Sequence, residues 1–359
     1  MKRHWLFLII IGLFCFVTAC GKSPTQSDSV AHSTSSNGQL DVHYIDAGQA
    51  DATLFRYSED QQTYTILYDT GDWKSNDVNE YLASQAINNI DLIIISHPDA
   101  DHIGQLAEIL QTYETEEVWM SGNESSSQTF QKALEAVIDS GANYEEPRVG
   151  EQFVIGPLEI DILYPKEITG EANKESLSVR LSYDQMRFLF TGDAGKAEER
   201  EMLTMNDSID ADFLQLGHHG SNTSTAAEFV EAVNPQVAIY SAGKDNNYGH
   251  PHKETIKKIK NAGIDLYGTD NDGTIIITTN GTEYQISTEK GKDECIAINQ
   301  ASHDDLQNII HIGSERATAL IDLRPYQSLN DLTKIKGIST ATLDDIKKQG
   351  LACMKGADK

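Results

Sequence analysis

Imidazoles and carboxylates crowd one short run of this chain, Ser96-His97-Pro98-Asp99-Ala100-Asp101-His102-Ile103-Gly104. Just before it, Leu92-Ile93-Ile94-Ile95 is uniformly apolar and reads as a fully buried strand; just after it, Leu106, Ile109 and Leu110 carry a helical period. Histidine and aspartate packed at a strand-to-helix turn are metal-ligand types. Buried carboxylates repel one another unless a cation or a hydrogen-bond network compensates. The plainer alternative is an exposed polar loop whose aspartates cap the following helix. Further along stand Thr191-Gly192-Asp193-Ala194, Gly217-His218-His219-Gly220-Ser221 and Tyr248-Gly249-His250-Pro251-His252. His97, Asp101, Asp193, His218 and His250 each follow the last apolar residue of a strand-like pattern. Strand ends that point the same way gather sites, so these residues are expected at one edge of the fold.

The elements that must position them follow from hydrophobic period and turn chemistry. Strands are expected at 41–46, 52–57 and 63–68, the last ending in Asp69-Thr70-Gly71, and then at 92–95 and 117–120. A helix over 128–138 ends at Gly141. Strands follow at 153–155 and 158–163, then a hairpin of 177–183 with 186–191. Helices 196–204, 226–233 and 254–262 alternate with strands 213–216, 237–240 and 265–267, and a hairpin around Asn280-Gly281 closes the unit. Strands first, then strand–helix alternation, then the same again: this suits two sheets packed face to face with helices outside, an α/β sandwich.

The N-terminus reads as a targeting segment. Lys2 and Arg3 precede an apolar stretch, 5–17, too short for a comfortable span, and Val17-Thr18-Ala19-Cys20-Gly21 places small residues before a cysteine. This resembles a bacterial lipobox, which implies lipidation of Cys20 and a protein held at the outer face of the cell membrane. The alternatives are an uncleaved anchor or secretion with a free Cys20. Residues 21–38 are a Ser-rich linker with too little apolar surface to fold. Of four cysteines, Cys295 and Cys353 bracket the C-terminal part and could pair in an oxidising compartment; two unrelated thiols are the alternative. The net charge of −27 argues against clamping nucleic acid with the surface as a whole. A metal-neutralised site that accepts a phosphate remains open to it.

Taken together, Ile45-Asp46-Ala47-Gly48-Gln49-Ala50-Asp51-Ala52, the 96–104 run, Thr191–Ala194, Gly217–Ser221 and Tyr248–His252 resemble the metallo-β-lactamase-fold hydrolases. Within them they resemble the extracytoplasmic hydrolase domain of ComEC-type DNA-uptake proteins. The resemblance covers residues 39–290 and implies an αβ/βα sandwich with the metal site at one edge. It implies His97, Asp99, Asp101, His102, Asp193 and His218 as metal ligands, with Asp193 bridging if two ions bind. It further implies Asp101 to orient the attacking water and His250 to face the scissile group. Asp46 and Asp69 are expected to orient ligands or water. Adjacent residues usually point apart, so His219 is expected to support a ligand or touch substrate. The second histidine of the usual motif is Asp99 here, and no histidine lies between His102 and His218. Asn173 or Ser176 is expected in the space of the missing one. Oxygen donors in place of nitrogen favour Mn²⁺, with Zn²⁺ as the alternative, and one or two ions. Such an ion lowers the pKa of its water toward neutrality and polarises a phosphoryl oxygen.

Beyond residue 290 the pattern changes to short helices around two glycine turns, Ile310-His311-Ile312-Gly313 and Ile335-Lys336-Gly337-Ile338-Ser339. Residues 295–356 are similar to the helix-hairpin-helix domain of ComEA-type DNA receptors, a small all-α fold. The resemblance implies DNA phosphate contacts at Gly313, Gly337 and Lys336. Two departures stand out: His311 replaces the first hairpin's leading glycine, and Ser339 replaces the second's last. The expected function is a membrane-anchored, metal-dependent phosphodiesterase that cuts DNA with a metal-activated hydroxide. The alternatives are hydrolysis of another surface phosphodiester, such as a teichoic-acid or phosphocholine ester, and an inactive DNA receptor.

Overall fold

The computed structural model describes residues 38–60, 62–290, 296–326, 328–349 and 351–354, with backbone alone at 344 and 348. Cys20, the leader, most of the 21–38 linker and Cys295 lie outside the described residues.

Leu92 and Ile94 face one core, while Ile93 and Ile95 face another. The strand Asn89–Ile95 is therefore buried on both sides, which is why its sequence is an unbroken apolar run. It belongs to an eight-stranded sheet with the order Tyr284–Thr288, Ile275–Thr279, Gln39–Tyr44, Thr53–Glu59, Gln62–Tyr68, Asn89–Ile95, Glu114–Met120 and Asn143–Glu145. Its first five strands run antiparallel and the later ones parallel. The second sheet has seven strands: Asp265–Gly268, Val237–Tyr240, Phe213–Gln215, Met186–Phe190, Ser178–Tyr183, Leu158–Tyr164 and Gln152–Ile155. It changes from parallel to antiparallel at Met186–Phe190. Each parallel portion needs crossovers, and helices supply them.

Between the sheets lies an aromatic core in which the Phe190 ring meets those of Tyr44, Phe55 and Tyr68 at 5.9, 5.5 and 4.9 Å. Outside the first sheet, Asp77–Ser84, Leu106–Thr112 and Gln128–Ser140 bury Val78, Leu82, Leu106, Ile109 and Phe130. Outside the second, Lys196–Met205, Ala227–Val233 and Lys253–Asn261 bury Met202, Phe229 and Ile259. Helix, sheet, sheet, helix is the expected αβ/βα sandwich.

Among the elements that escape the sequence pattern, two show why. Helix Asp77–Ser84 buries only Val78 and Leu82 and has no side-chain cap at Asn76, so its period is faint. Strand Asn143–Glu145 is an edge strand exposed at every residue and shows no alternation.

The C-terminal helices His303–Leu306, Ser314–Asp322 and Thr340–Gln349, with the 3₁₀ turn Leu329–Lys334, close over their own core of Leu306, Leu320, Leu332, Ile338 and Ile346. A parallel pair, Ile296–Ala297 with Ala352–Cys353, accompanies them, so this part is not purely helical. Among the described residues no helix is long and apolar enough to cross a membrane.

Candidate metal centre

Three loops of the first sheet are laced together before any ligand is considered. Asp51 N donates to Asp101 O, Thr70 N to His102 O, Gly71 N to Asp51 O and Trp73 N to Ala100 O, at 3.1, 2.6, 2.9 and 3.2 Å. Gly104 permits this approach, because a Cβ there would lie 2.2 Å from Trp73 N and 2.3 Å from Gly71 O, both fixed backbone. From the second sheet, Asp193 follows Met186–Phe190 and His218 and His219 follow Phe213–Gln215.

Each histidine is anchored through Nδ1, which leaves Nε2 directed inward. His102 Nδ1 meets Asp69 Oδ2 at 2.8 Å, and Asp69 in turn accepts from Ser96 N at 2.7 Å and Ser96 Oγ at 2.8 Å. His97 Nδ1 meets Ser96 Oγ at 3.0 Å, His219 Nδ1 the Ser241 carbonyl at 3.1 Å, and His218 Nδ1 Thr223 Oγ1 at 3.4 Å. Partners of this kind select the tautomer and hold the ring of a metal-binding histidine.

Asp193 divides the inward face. Its Oδ2 lies 3.7 Å from His97 Nε2 and 3.3 Å from His218 Nε2; its Oδ1 lies 3.4 Å from His102 Nε2. His219 Nε2 is 3.4 Å from Asp101 Oδ2, and its Nδ1 edge is 3.6 Å from Asp51 Oδ1. Asp51, His102, Asp193 and His219 form a buried group whose ligand atoms all lie within 4.8 Å of one another. Asp51 Oδ1, His97 Nε2, His102 Nε2, Asp193 Oδ1 and His219 Nε2 are buried without a hydrogen-bond partner. Four of these atoms belong to that group and His97 Nε2 lies beside the other oxygen of Asp193; orphaned buried polar atoms gathered this way would be costly in an unliganded protein, and divalent cation binding would satisfy them. The residues present fit a metal.

The electrostatics agree. Burial would raise the Asp193 carboxyl, yet His102, with His97 and His219, holds it well below the usual carboxylate range. Burial would lower His102 and His219, but the surrounding aspartates push both well above the ordinary imidazole value. A site that attracts protons this strongly attracts a cation by the same charges, and metal and protons compete for it.

The expected residues fall in different places. His97, His102, Asp193 and His218 meet at the centre, and Asp101 joins through His219. Asp99 Oδ2, half-exposed, is 3.7 Å from His97 Nε2. Asp69 stands behind His102, as above. Asn173 Nδ2 meets Asp193 Oδ2 at 3.2 Å, whereas Ser176 Oγ serves the backbone, accepting from Asp193 N and donating to Asn173 O. Asp46 pairs with Lys290 at 2.6 Å and is tied to no site histidine. His250 lies beside the centre, its ring 5.4 Å from His218 and 5.9 Å from His219. Burial and these neighbouring rings lower it to about 4. His218 and His219 both approach the centre because both hold left-handed backbone, φ 52° and 55°. Helical backbone of either hand splays consecutive side chains by about 100° rather than the 180° of a strand. Asp51 was not among the expected ligands; its one sequence signal is its place at the end of the Asp46–Asp51 motif.

In the hairpins, His311 takes φ 65°, the conformation the glycine it replaces would take, and its Nε2 meets Asp345 at 3.0 Å. Ser339 Oγ accepts from Thr342 N at the start of Thr340–Gln349. Gly313 caps Ser314–Asp322, Gly337 holds φ 87°, and Lys336 is exposed.

A sandwich of this layering with a histidine–aspartate centre at its edge defines a hydrolase class, and the chain belongs to it: the Metallo-beta-lactamase superfamily matches residues 45–244. The Helix-hairpin-helix motif matches residues 291–349. The chain is similar to ComE operon protein 3 of Bacillus subtilis, 30% identical over 259 residues that cover 67% of this chain and 33% of that protein. It is 29% identical over 225 residues to Recombination protein 2 of Haemophilus influenzae, covering 61% of this chain and 26% of that one. A shorter stretch of 61 residues is 43% identical to a Deoxyribonuclease of Thioalkalivibrio sp., 17% of each chain. The chain therefore spans about a quarter to a third of the length of the first two relatives.

Proposed function

We propose that this chain is a metal-dependent phosphodiesterase that cuts DNA outside the cytoplasm. In this reading a lipid on Cys20 tethers it to the membrane, residues 39–290 carry the hydrolytic site and residues 295–356 hold the DNA. The observation that carries the reading is the division of Asp193, one oxygen toward His97 and His218 and the other toward His102. One carboxylate shared in this way suits two adjacent cations, and paired cations suit in-line displacement at a phosphodiester. Mn²⁺ or Zn²⁺ fits the mixed imidazole and carboxylate donors. Such a metal supplies Lewis-acid polarisation and water of lowered pKa. The chain's own residues do the rest. Asp69 keeps the Nδ1 proton on His102, Asp101 orients water from its partly exposed carboxylate, and His250 faces the leaving side. The recombination and deoxyribonuclease names of two relatives support DNA as substrate, and the hairpin motif supports contact with its phosphates. A Cys295–Cys353 bond would staple that C-terminal part.

The test is the full chain in detergent, stripped of metal and reloaded with Mn²⁺, Zn²⁺ or Mg²⁺. Fluorescent single- and double-stranded DNA and bis-p-nitrophenyl phosphate serve as substrates, with Asp101→Ala as control. Metal-dependent DNA cutting that the variant lacks supports the nuclease. Ester hydrolysis with intact DNA points to another surface phosphodiester, which the charge of −27 would favour. Silence on every substrate refutes the reading.

A further inference from the structure

Three rings form a ladder from the metal centre to solvent. His219 and His250 stack with centroids 5.9 Å apart and planes 29° apart; His250 and Tyr248 stack at 5.7 Å and 22°. The inner rung, His219, is buried, while the outer rung, Tyr248, is 69% exposed. That makes Tyr248 the most exposed large aromatic among the described residues, ahead of Trp73 at 55%. The loop that carries it is pinned. Asn246 Oδ1 accepts from Tyr248 N and His250 N at 3.0 and 3.1 Å, and Asn246 Nδ2 donates to Gly243 O at 2.9 Å. Gln49 ties both ends to the neighbouring sheet, accepting from Gly243 N at 3.1 Å and meeting His250 Nδ1 at 3.4 Å. The ring is therefore presented to water by a fixed loop, with one face on His250.

We propose that Tyr248 is the platform on which an unpaired nucleobase of the substrate strand stacks, flanking the phosphodiester held at the Asp193 centre. This inference rests on the phosphodiesterase reading. Two physical points favour a base as the occupant. A net charge of −27 makes the surface as a whole a poor grip for a phosphate backbone. Stacking needs no charge and accepts any base, since every base has a π-face. The platform also imposes a choice of strand. Bases in a duplex already stack on their neighbours, so only a single strand, a frayed end or a flipped base offers a free face.

The experiment uses the full chain in detergent, both with EDTA and reloaded with Zn²⁺ on cleavage-resistant phosphorothioate strands, and short oligonucleotides carrying 2-aminopurine, whose fluorescence falls on stacking. Wild type, Tyr248→Ala and Tyr248→Phe are compared on a single strand and on the same sequence as duplex. The exposed position leaves folding unaffected, which the thermal melt checks. Wild type should quench 2-aminopurine in the single strand. Tyr248→Ala should lose the quench and roughly 5- to 100-fold in single-strand affinity, with duplex binding unchanged. Tyr248→Phe should keep both. No quench in wild type, or equal single-strand affinity in Tyr248→Ala, overturns the platform. Cleavage after metal reloading is followed separately: if it is absent while the quench depends on Tyr248, the phosphodiesterase reading fails and the stacking site stands.

Discussion

Replacing Asp69 with Asn tests whether the centre is organised from behind its ligands. Asp69 is fully buried, receives the His102 Nδ1 proton at 2.8 Å and accepts twice more from Ser96. Its backbone is left-handed, φ 58°, a conformation asparagine tolerates better than other side chains, so Asp69→Asn should fold. The amide keeps an oxygen for Ser96 N but presents NH₂ where Oδ2 stood. An NH₂ group cannot accept the Nδ1 proton, so His102 must move that proton to Nε2. Nε2 is the atom 3.4 Å from Asp193 Oδ1, and protonated it has no lone pair for a metal. Loss of such a supporting carboxylate costs 10–100-fold in metal affinity, about 1.4 to 2.7 kcal/mol. Metal affinity measured by competition with a fluorescent chelator, alongside ¹⁵N chemical shifts of the ring nitrogens, separates the steps. A tautomer that moves with unchanged affinity would show that His102 is not a ligand. Reduced affinity with an unmoved tautomer would refute the proton argument.

Chelation should lower the melting temperature of the wild type, and Asp193→Ala should melt at the same temperature with or without metal. A ligand at 100 times its Kd contributes about 2.7 kcal/mol, or roughly 4 °C for a chain of this size. Gly104→Ala should destabilise by about 1–3 kcal/mol and weaken metal binding, because its methyl group would meet the backbone of Gly71 and Trp73; calorimetry with and without metal checks both. His43 tests acid stability. Burial lowers its pKa from 6.5 to about 4, with Nδ1 held by Tyr81 Oη at 2.7 Å. The unfolded chain then binds the proton more tightly than the folded one. His43 therefore adds full stability above pH 6.5, and that contribution drains away as pH falls toward 4. Relative to its own value at pH 7, His43→Gln should retain roughly 3 kcal/mol more at pH 4, seen in urea melts at both pH values. Parallel acid sensitivity in the two proteins would contradict this.

How far the site could be read from sequence depends on whether each ligand is fixed by neighbours in the chain or by neighbours in space. His97, Asp101 and His102 follow a strand whose double burial writes itself as Leu92-Ile93-Ile94-Ile95, so chain order alone places them at a strand end. Asp193 is legible for the same reason, after Phe188-Leu189-Phe190. Asp51 has no such marker. It lies in a turn between alanines, and what brings it to the centre is the bond from its N–H to Asp101 O, between segments fifty residues apart in the chain. Asp46 shows the converse, since the same motif that marks Asp51 places Asp46 against Lys290.

The His218–His219 pair shows why spacing rules fail where function is densest. In extended backbone, neighbours point apart, and that rule sets one of the two aside. Here both residues hold left-handed backbone, each at a cost of about 1–2 kcal/mol, and this brings both Nε2 atoms toward the aspartates. Asp69, which steadies His102, is left-handed as well. Sequence does not display such strain, because the penalty falls on whichever residue the surrounding structure holds there, and glycine would have removed it. That three site residues other than glycine keep it argues that their side chains are needed at those positions.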